Sequence, residues 1–364
     1  ELNNAVLKYN PDQALGIAMN PKTGEILAIA SKPDFSPSEY KNYTVEEINR
    51  NLPIWATYEP GSTFKIITLA TALEENVVDL EKDTFFDSGA ITVEGATLHC
   101  WKHGGHGAET YLQVVENSCN PGFVNLGLKL GKEKLFSYID KFGFGKKTGI
   151  DLNGESSGII FNLDKVGPVE LATTAFGQGV SVTPIQQITA VSAAINGGTL
   201  YKPYVVKSLN EPVTNTVVKQ NEPTKVRTVI SEETSKKVRE TLESVVTNGT
   251  GRPAYIEGYR VGGKTGTAQK VQNGRYMVGN YIVSFIGFLP ADDPEIIVYV
   301  AVDNAKGVTQ YGGTIAAPIA KNVLTDAISI LNIKKRNTTT EKKYNYNEKK
   351  YITVVKGIIE NDEG

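Results

Sequence analysis

The feature that most constrains the fold of this chain is a turn that leads directly into an apolar helix. Pro60 and Gly61 are turn residues, and the apolar side chains in residues 64–73 recur at helical spacing, enough to bury one helix face. Ser62 is therefore expected on the first turn of a buried helix, where unpaired backbone N–H groups and the positive dipole end point at its hydroxyl. Lys65 follows three residues later on the same face. A serine with a lysine one turn away is one form of an activated nucleophile.

Two further motifs make this serine–lysine spacing specific enough to indicate a catalytic site. Alone the spacing is weak, because Ser38 and Lys41 repeat it in a Pro-rich polar segment with no apolar helix behind it. Ser118-Cys119-Asn120 and Lys264-Thr265-Gly266 follow Ser62 in the order of the three-part signature of penicillin-binding proteins and class A β-lactamases. Chance is a poor explanation for all three parts in that order.

The Lys-Thr-Gly sequence occurs three times, and its context separates the copies. The copy at Lys22 lies between two apolar runs and indicates a hairpin turn, whereas the copy at Lys147 indicates a loop after a helix. Only the copy at Lys264 has a small-residue strand context in which a ligand's backbone can lie close. Ser208-Leu209-Asn210 repeats the Ser-x-Asn spacing, but it is expected in a loop.

The chain resembles the transpeptidase domain of a class B penicillin-binding protein over roughly residues 10–330. Beyond the three motifs, the resemblance rests on segments at residues 20–28, 142–145, 148–151, 177–179 and 183–186. The Cys-Trp pair at residues 100–101, the Gly-Gly-His-Gly stretch after it and the Ser-Cys-Asn motif resemble the sporulation-specific branch of that family in spore-forming Firmicutes.

The resemblance implies a role for each motif residue. Ser62 Oγ would attack a carbonyl carbon and form an acyl-enzyme after a base removes its proton. Lys65 can be that base only as a neutral amine, so its pKa must fall through burial or nearby positive charge, for which Lys264 is a candidate source. Ser118 would relay a proton toward the leaving amine, and Asn120 would hold the peptide bond of the substrate.

The Lys264 strand is expected to form the opposite wall of the site. Thr265, Gly266 and Thr267 are the predicted substrate-binding residues there, meeting the terminal carboxylate together with Lys264. The backbone N–H groups of Ser62 and Thr267 would form an oxyanion hole, a donor pair worth roughly 100-fold or more in rate.

The implied reaction is D,D-transpeptidation of peptidoglycan stem peptides without a catalytic cofactor. The terminal D-Ala would leave, an amine of a neighbouring strand would take the acyl group, and β-lactam antibiotics would acylate Ser62 because they mimic the donor. The family also implies a membrane glycan polymerase as partner. Two alternatives remain: a serine β-lactamase, for which Glu155 lies near the offset of a hydrolytic base but lacks its pattern, and a non-catalytic β-lactam sensor. The segment around residues 177–184 favours the transpeptidase.

The distribution of helical and strand patterns predicts an α+β fold. Two strands are expected at residues 14–19 and 25–31, and three more at residues 259–266, 281–289 and 296–303. The helices predicted between and after them are at residues 109–115, 122–142, 168–196, 232–248 and 314–331. We therefore expect an antiparallel sheet built from both chain ends and flanked by helices, plus a mainly helical lobe over roughly residues 62–200. The active site is expected in the cleft between them, as in the family.

The composition and the two ends of the sequence lead to predictions about partners, domain bounds and localisation. The 364 residues are 40% hydrophobic and 21% charged, with a net charge of −2 that argues against a nucleic-acid surface. Residues 1–333 are assigned to the transpeptidase domain. The polar tail at 334–364 is assigned to a linker or the start of a truncated C-terminal module, with a strand over 351–359 left open. Family members carry a membrane anchor and a pedestal before this point. The chain is therefore expected to be a soluble fragment of a protein on the extracytoplasmic face of the cell membrane.

All three histidines and both cysteines lie within the 21 residues from His99 to Cys119. Cys100-x-x-His103-x-x-His106 in a Gly-rich loop lets short side chains converge on one ion, and Cys119 can close a tetrahedral zinc site. His99 adjoins Cys100 and would point away. We therefore predict a structural zinc ion held by Cys100, His103, His106 and Cys119. A Cys100–Cys119 disulfide or free thiols are the alternatives, but a disulfide leaves the histidines without a shared purpose.

Overall fold

The structure is a computed structural model that describes residues 1–272, 274–336, 340–345 and 350–355. The α-helices of the described residues are, in chain order, α1 (Leu2–Tyr9), α2 (Val45–Asn49), α3 (Leu52–Trp55), α4 (Lys65–Glu74), α5 (Tyr111–Glu116), α6 (Asn120–Leu130), α7 (Lys132–Lys141), α8 (Pro168–Ala175), α9 (Pro184–Ile195), α10 (Glu232–Asn248) and α11 (Ala316–Leu331). The strands are β1 (Gln13–Met19), β2 (Ile26–Lys32), β3 (Thr84–Asp87), β4 (Ala90–Val93), β5 (Ala96–His99), β6 (Gly107–Thr110), β7 (Thr199–Tyr201), β8 (Ser208–Asn210), β9 (Val217–Gln220), β10 (Lys225–Thr228), β11 (Gly262–Gln272), β12 (Arg275–Leu289), β13 (Ile296–Asp303), β14 (Thr340–Asn345) and β15 (Lys350–Val355).

The central element is a five-stranded antiparallel sheet in the order β11-β12-β13-β1-β2. The β1–β2 pair comes from the beginning of the chain and the other three strands from its C-terminal part, which confirms the α+β fold with a sheet built from both chain ends. Strands β11 and β12 are longer than predicted: the regular ladder continues to Gln269 paired with Tyr281, and after a register shift residues 271–272 pair with residues 275–276.

The two faces of the sheet bury different sets of apolar residues, as expected when successive side chains alternate between faces. One face packs against the helical lobe through residues such as Ile17, Ile286 and Tyr299. The opposite face packs against α1 and α11 through residues such as Phe285 and Val300. Strands β1 and β13 at the centre of the sheet are buried at most positions, whereas β2 at its edge is largely exposed or half-buried.

Helices α4 and α9 form the centre of the helical lobe. Residues 65–73 of α4 and all residues of α9 are buried, so these helices are enclosed on every side rather than on the single face that the periodicity predicts. The helix predicted over residues 122–142 is divided into α6 and α7 at Gly131, whose φ of 77° suits glycine. The Gly177–Gly179 segment separates α8 from α9.

Residues 84–107, for which the sequence predicts no regular element, contribute to two small antiparallel pairs, and residues 109–110, predicted as the start of a helix, belong to β6, so that the helix begins at Tyr111. Strand β3 pairs with β6, and β4 pairs with β5. Strands of four residues are too short to show a clear alternation, which is why the sequence did not reveal them. Ser208–Asn210, expected in a loop, is strand β8 and pairs with β9.

The polar tail contains a further strand pair, β14 with β15, within the residues that the structure describes. The open expectation of a strand from residue 351 is met as far as residue 355, and residues 356–359 lie outside the described part. The domain boundary between residues 333 and 334 stays a prediction. Within the described ranges, no helix combines the length and apolar character that crossing a membrane requires.

Candidate active site

Ser62 lies in a single 3₁₀ turn, Gly61–Thr63, directly before α4, and Lys65 is the first residue of that helix. The sequence predicted Ser62 on the first turn of the helix itself, which instead begins at Lys65. Thr63 Oγ1 donates to the carbonyl of Pro60 at 2.8 Å and closes the preceding turn. The serine hydroxyl still lies at the amino end of the buried helix, where the dipole favours negative charge on oxygen.

The turn Gly61–Thr63 carries the candidate nucleophile Ser62 and is named the nucleophile turn. Hydrogen bonds from neighbouring backbone hold it in place. The Gly61 N–H donates to the carbonyl of Gly177 at 3.0 Å, and Tyr58 forms an antiparallel bridge with Val182. The contact at Gly177 is so close that a Cβ on this residue would lie 2.1 Å from the carbonyl oxygen of Gly61. These contacts fix the position of the turn relative to the helical lobe, as a preorganised nucleophile requires.

Lys65 is 1% exposed and lies between the two outer residues of the Ser-Cys-Asn motif. Its Nζ is 2.6 Å from Asn120 Oδ1, 2.8 Å from the carbonyl oxygen of Ser118 and 3.2 Å from Ser118 Oγ. Burial lowers the pKa of Lys65 to about 7. A large share of the amine is therefore neutral near pH 7, which is the state that can accept a proton.

Ser118 adopts a left-handed backbone conformation, with a φ of 55°, between α5 and α6. A serine rarely adopts this conformation, and such strain is concentrated at functional sites. Both the hydroxyl and the carbonyl oxygen of Ser118 contact the Lys65 amine in this conformation. The motif therefore supplies a hydroxyl that can exchange a proton with Lys65.

Lys264 lies on β11 with its side chain fully buried. It shares a row across the sheet with Ile286 and Tyr299, on the face that meets the helical lobe. Burial, and after it the charge of Lys65, lower the pKa of Lys264 well below its usual value. The low pKa of Lys65 itself arises from burial and not from Lys264, the charge source that the sequence suggested.

The other residues of the Lys-Thr-Gly motif, and Thr267 after them, make contacts within the chain. Thr265 Oγ1 donates to Thr250 Oγ1 at 3.3 Å, and Thr267 Oγ1 accepts from the Gly312 N–H at 3.2 Å. Gly266 is buried, and a Cβ there would lie 2.4 Å from Ser284 Oγ. Its lack of a side chain therefore serves packing within the chain, where the sequence predicted close approach of a ligand.

The structure brings together three of the four predicted metal ligands and replaces the fourth. The ligand atoms of Asp87, Cys100, His106 and Cys119 all lie within 4.8 Å of one another. His103 lies outside this cluster on the exposed surface, so its assignment as a ligand is corrected. Asp87 is brought in by the pairing of β3 with β6. Its Oδ2 lies 2.8 Å from His106 Nδ1, which is 3.5 Å from Cys100 Sγ.

Both cysteines are buried and carry free thiols in the structure. The hydrogen bond from Cys119 lowers the pKa of the Cys100 thiol, and His106 adds to this effect. Burial lowers the pKa of His106, but its contacts with Cys100 and Asp87 outweigh burial, and the net shift is upward. Two thiols, an imidazole and a carboxylate are thus gathered beside the Ser-Cys-Asn motif, which contributes Cys119.

Hydrogen bonds join residues 99–101, next to the cluster, to the Ser-Cys-Asn loop. Asn120 Nδ2 donates to the carbonyl of His99 at 3.0 Å, and the Trp101 indole N–H donates to the carbonyl of Asn117 at 2.8 Å. Cys119 Sγ accepts from the Gly122 N–H at 3.4 Å at the start of α6. The cluster therefore supports the Ser-Cys-Asn loop from behind.

Glu155, the residue that would be the hydrolytic base if the protein were a β-lactamase, is hydrogen-bonded to a nearby loop. Its Oε1 accepts from the backbone N–H of Thr148 at 2.6 Å, and its Oε2 accepts from that of Gly149 at 3.0 Å. The side chain thereby closes the Thr148–Gly149 loop. Both carboxylate oxygens therefore serve a structural role in that loop.

Comparison with known proteins decides the family. The sequence model of the protein family described as penicillin binding protein transpeptidase domain matches residues 14–325. The chain belongs to this family. It is 63% identical over 354 residues to stage V sporulation protein D of Bacillus subtilis, covering 97% of this chain and 55% of that protein. This similarity supports the predicted sporulation branch of the class B proteins.

More distant relatives and solved structures agree. Peptidoglycan D,D-transpeptidase FtsI of Escherichia coli is 32% identical over 343 residues, covering 93% of this chain and 55% of that protein. Penicillin binding protein 3 of Mycobacterium tuberculosis, solved with aztreonam, superposes with a TM-score of 0.83 at 28% identity, covering 91% of this chain and 76% of that one. The transpeptidase domain of penicillin-binding protein 3 from Burkholderia pseudomallei gives 0.79 at 27% identity, covering 92% and 93%. The chain spans about half the length of the curated relatives it matches.

Two residues of the site were missed from the sequence. Asp87 lies 13 positions before Cys100 with no recognisable spacing, so only the strand pairing places it in the cluster. Glu59 adjoins the nucleophile turn, but a polar residue before proline indicates only a turn. Its buried contacts appear only in three dimensions.

Proposed function

We propose that this chain is the catalytic domain of a peptidoglycan D,D-transpeptidase that works through an acyl-enzyme on Ser62. The observation that carries the proposal is the buried Lys65 amine, with a pKa of about 7, in contact with Ser118 and Asn120 at the end of the nucleophile turn. A base with this pKa is suited to proton transfer near neutral pH.

In the first half-reaction, the oxygen of Ser62 bonds to the carbonyl carbon of the penultimate D-Ala. Its proton passes to Lys65 and then, through the Ser118 hydroxyl, to the nitrogen of the terminal D-Ala as the peptide bond breaks. The N–H groups of Ser62 and Thr267 stabilise the negative charge on the carbonyl oxygen, and Asn120 and Lys264 orient the substrate with Thr265 and Gly266.

In the second half-reaction, an amine of a neighbouring stem peptide attacks the ester carbonyl. The bond to Ser62 breaks, the serine recovers a proton from the attacking amine through Lys65, and a new cross-link is formed. A β-lactam enters the first half-reaction as a mimic of the donor, but it leaves an adduct on Ser62.

Labelling with a fluorescent penicillin tests the nucleophile. The wild-type protein should be labelled covalently, and Ser62→Ala and Lys65→Ala should not be labelled. Ser38→Ala is the matched control, because Ser38 has the same spacing to a lysine and should be labelled like the wild type. Labelling that persists in Ser62→Ala and disappears in Ser38→Ala would overturn the assignment.

The lifetime of the adduct separates the proposal from its alternatives. Intact mass spectrometry should show an acyl-enzyme that persists for many minutes, because Glu155 is tied to the Thr148–Gly149 loop. Rapid turnover of a chromogenic cephalosporin would identify a β-lactamase. A stable adduct in a protein that cross-links no stem peptide and cleaves no thioester would identify a sensor.

We also propose that Asp87, Cys100, His106 and Cys119 hold a structural zinc ion. Two sulfurs, one imidazole nitrogen and one carboxylate oxygen are a donor set that zinc binds tetrahedrally. Ligand atoms in such a site are roughly 3.3–3.8 Å apart, given bonds of about 2.0–2.3 Å, and the ligand atoms of the cluster all lie within 4.8 Å of one another. The ion would fix the Ser-Cys-Asn loop and take no part in bond cleavage.

Metal analysis of the purified protein tests the zinc site. About one zinc ion per chain is expected, and it should be lost in His106→Ala and Cys119→Ser together with most penicillin acylation. His103→Ala is the matched control and should keep the metal, because this residue lies in the same loop but outside the cluster. Metal-free protein with a mass lower by the two hydrogens of a disulfide would refute the zinc site.

For the full-length protein we propose a role in spore formation on the extracytoplasmic face of the cell membrane. The 63% identity to a stage V sporulation protein supports the role, and the family resemblance supports a membrane anchor and a membrane glycan polymerase as partner. Deletion of the gene should impair spores but not vegetative growth, and crosslinking in sporulating cells should capture the polymerase.

A further inference from the structure

Glu59 is a buried carboxylate immediately before the nucleophile turn. It is 9% exposed, and its carboxylate lies between two elements far away in sequence. Its Oε1 accepts from the backbone N–H of Gly179 at 2.8 Å, and the Tyr276 hydroxyl lies 3.0 Å from Oε1 and 3.2 Å from Oε2. Neither partner carries a charge, so Glu59 is not part of an ion pair through these contacts.

The Gly179 contact fixes the carboxylate to the segment that already seats the turn. Gly177 accepts from the Gly61 N–H, and Tyr58 bridges Val182, so backbone hydrogen bonds hold this side of the turn without Glu59. What the carboxylate adds is the second contact, to Tyr276.

Tyr276 lies on the distal part of the β11–β12 hairpin. The ladder between the two strands is regular from Gly262 to Gln269, is interrupted by a bulge, and resumes where Val271 pairs with Tyr276. A bulge bends a strand and weakens its ladder locally. The outer hairpin therefore needs a contact other than the ladder to hold its position, and the Tyr276 hydroxyl supplies one on Glu59.

The hairpin is continuous with the strand that forms the opposite wall of the cleft. Thr267 lies on β11 two residues before Gln269, the last paired residue before the bulge. On the other side, Gly61 packs so closely on this strand that a Cβ there would lie 3.0 Å from the carbonyl oxygen of Thr267. The nucleophile turn and the strand across from it thus pack directly on each other, and Glu59 adds a side-chain link to the outer part of the hairpin.

We propose that Glu59 is a positioning residue that, through Tyr276, locks the β11–β12 hairpin to the nucleophile turn and so fixes Ser62 against the Thr267 N–H for acylation. The proposal rests on the proposed function, since it concerns the rate at which Ser62 is acylated. Its effect is on the geometry of the attack and not on ligand binding, because the carboxylate is turned toward Gly179 and Tyr276.

The test is the kinetics of acylation by a penicillin, resolved into the dissociation constant and the first-order rate constant at saturation. Tyr276→Phe removes one hydroxyl and keeps the ring and the Glu59–Gly179 contact. We expect its acylation rate constant to fall about 10-fold, the effect of one hydrogen bond to a charged group. The dissociation constant should change less than about twofold and the melting temperature should hardly change.

Variants of Glu59 complete a double-mutant cycle with Tyr276→Phe. Glu59→Gln keeps an acceptor oxygen for Gly179 and Tyr276 and should retain most of the rate, whereas Glu59→Ala should lose more than Tyr276→Phe. Glu59→Ala combined with Tyr276→Phe should be no slower than Glu59→Ala alone, because the two residues act as one unit. Rescue by glutamine and non-additivity are readouts that general destabilisation would not produce.

The matched control is Tyr138→Phe. Tyr138 donates to Glu75 at 2.9 Å, the same pair of groups at a site in the helical lobe away from the turn, and its loss should leave acylation unchanged. The proposal is overturned if Tyr276→Phe acylates as fast as Tyr138→Phe, or if its loss lies in the dissociation constant. Failure of the wild-type protein to become acylated on Ser62 would instead refute the proposed function.

Discussion

In the proposed mechanism, Lys65 is the residue whose protonation state controls the nucleophile, and its amine is buried against Ser118 and Asn120. Desolvation disfavours the charged ammonium, which is why the pKa falls to about 7 instead of remaining near its usual value. The tolerance of this site for change is correspondingly small. Arginine, which stays charged in proteins, could fill the space but could not serve as a base.

The pH dependence of acylation follows from this pKa. Protonation of Lys65 below about pH 7 removes the base, so the acylation rate should fall up to tenfold per pH unit below pH 7 and level off above it. The measurement is the second-order rate constant for a penicillin across about pH 5.5 to 9. Lys65→Arg should be inactive throughout this range, and a flat wild-type profile through pH 7 would contradict the assignment of Lys65 as base.

At the scale of elements, the sequence predicted well those segments whose pattern is long and regular. Helix α10 has the predicted bounds, Glu232–Asn248, because its amphipathic pattern persists for several turns, and β13 likewise runs over Ile296–Asp303. The four-residue strands β3 to β6 were missed because they are too short to establish a period. Asp87 was missed with them, since its place in the cluster depends on their pairing.

The segment that seats the nucleophile turn provides an element-scale prediction. Gly177 has a φ of 88°, and an added Cβ would overlap the carbonyl of Gly61. Gly177→Ala should therefore displace the turn, destabilise the protein by about 2 kcal/mol or more and slow acylation. Gly95→Ala is the matched control: its φ is 80°, but a Cβ there meets nothing within 4 Å.

Only the backbone cost of about 1 kcal/mol is expected for Gly95→Ala, with acylation unchanged. Urea denaturation and penicillin labelling measure both effects. Equal losses of stability and acylation in the two variants would show that the close contact at Gly177 does not matter.

At the scale of the whole molecule, the sheet separates two hydrophobic cores, one on each of its faces. One core supports the cleft, whereas the other joins α1 and α11 to the opposite face. The sequence predicted this arrangement because both chain ends carried strand patterns around a helical middle. The contacts that seat the turn depend on exact packing between distant segments, which no local pattern encodes.

The second core should affect stability without affecting the reaction. Leu324 on α11 is fully buried, so Leu324→Ala should destabilise the protein by about 2–5 kcal/mol. Acylation per folded molecule should be unchanged, because this face lies away from Ser62. Ile330→Ala, at an exposed position on the same helix, should cost less than about 0.5 kcal/mol. Slower acylation in folded Leu324→Ala would show that the two cores are coupled.

The order of the sheet has a consequence for how the protein can be recognised. Strand β11 pairs with β12 on one side, and no described strand pairs with its other side. An extended peptide can add to such an edge as a sixth strand, so recognition there reads the backbone of the ligand more than its side chains. An open edge is also where a second polypeptide can join by the same hydrogen bonds. The Gly61 turn packs on this strand at Thr267, so such pairing is confined to the part of the edge that the turn leaves uncovered.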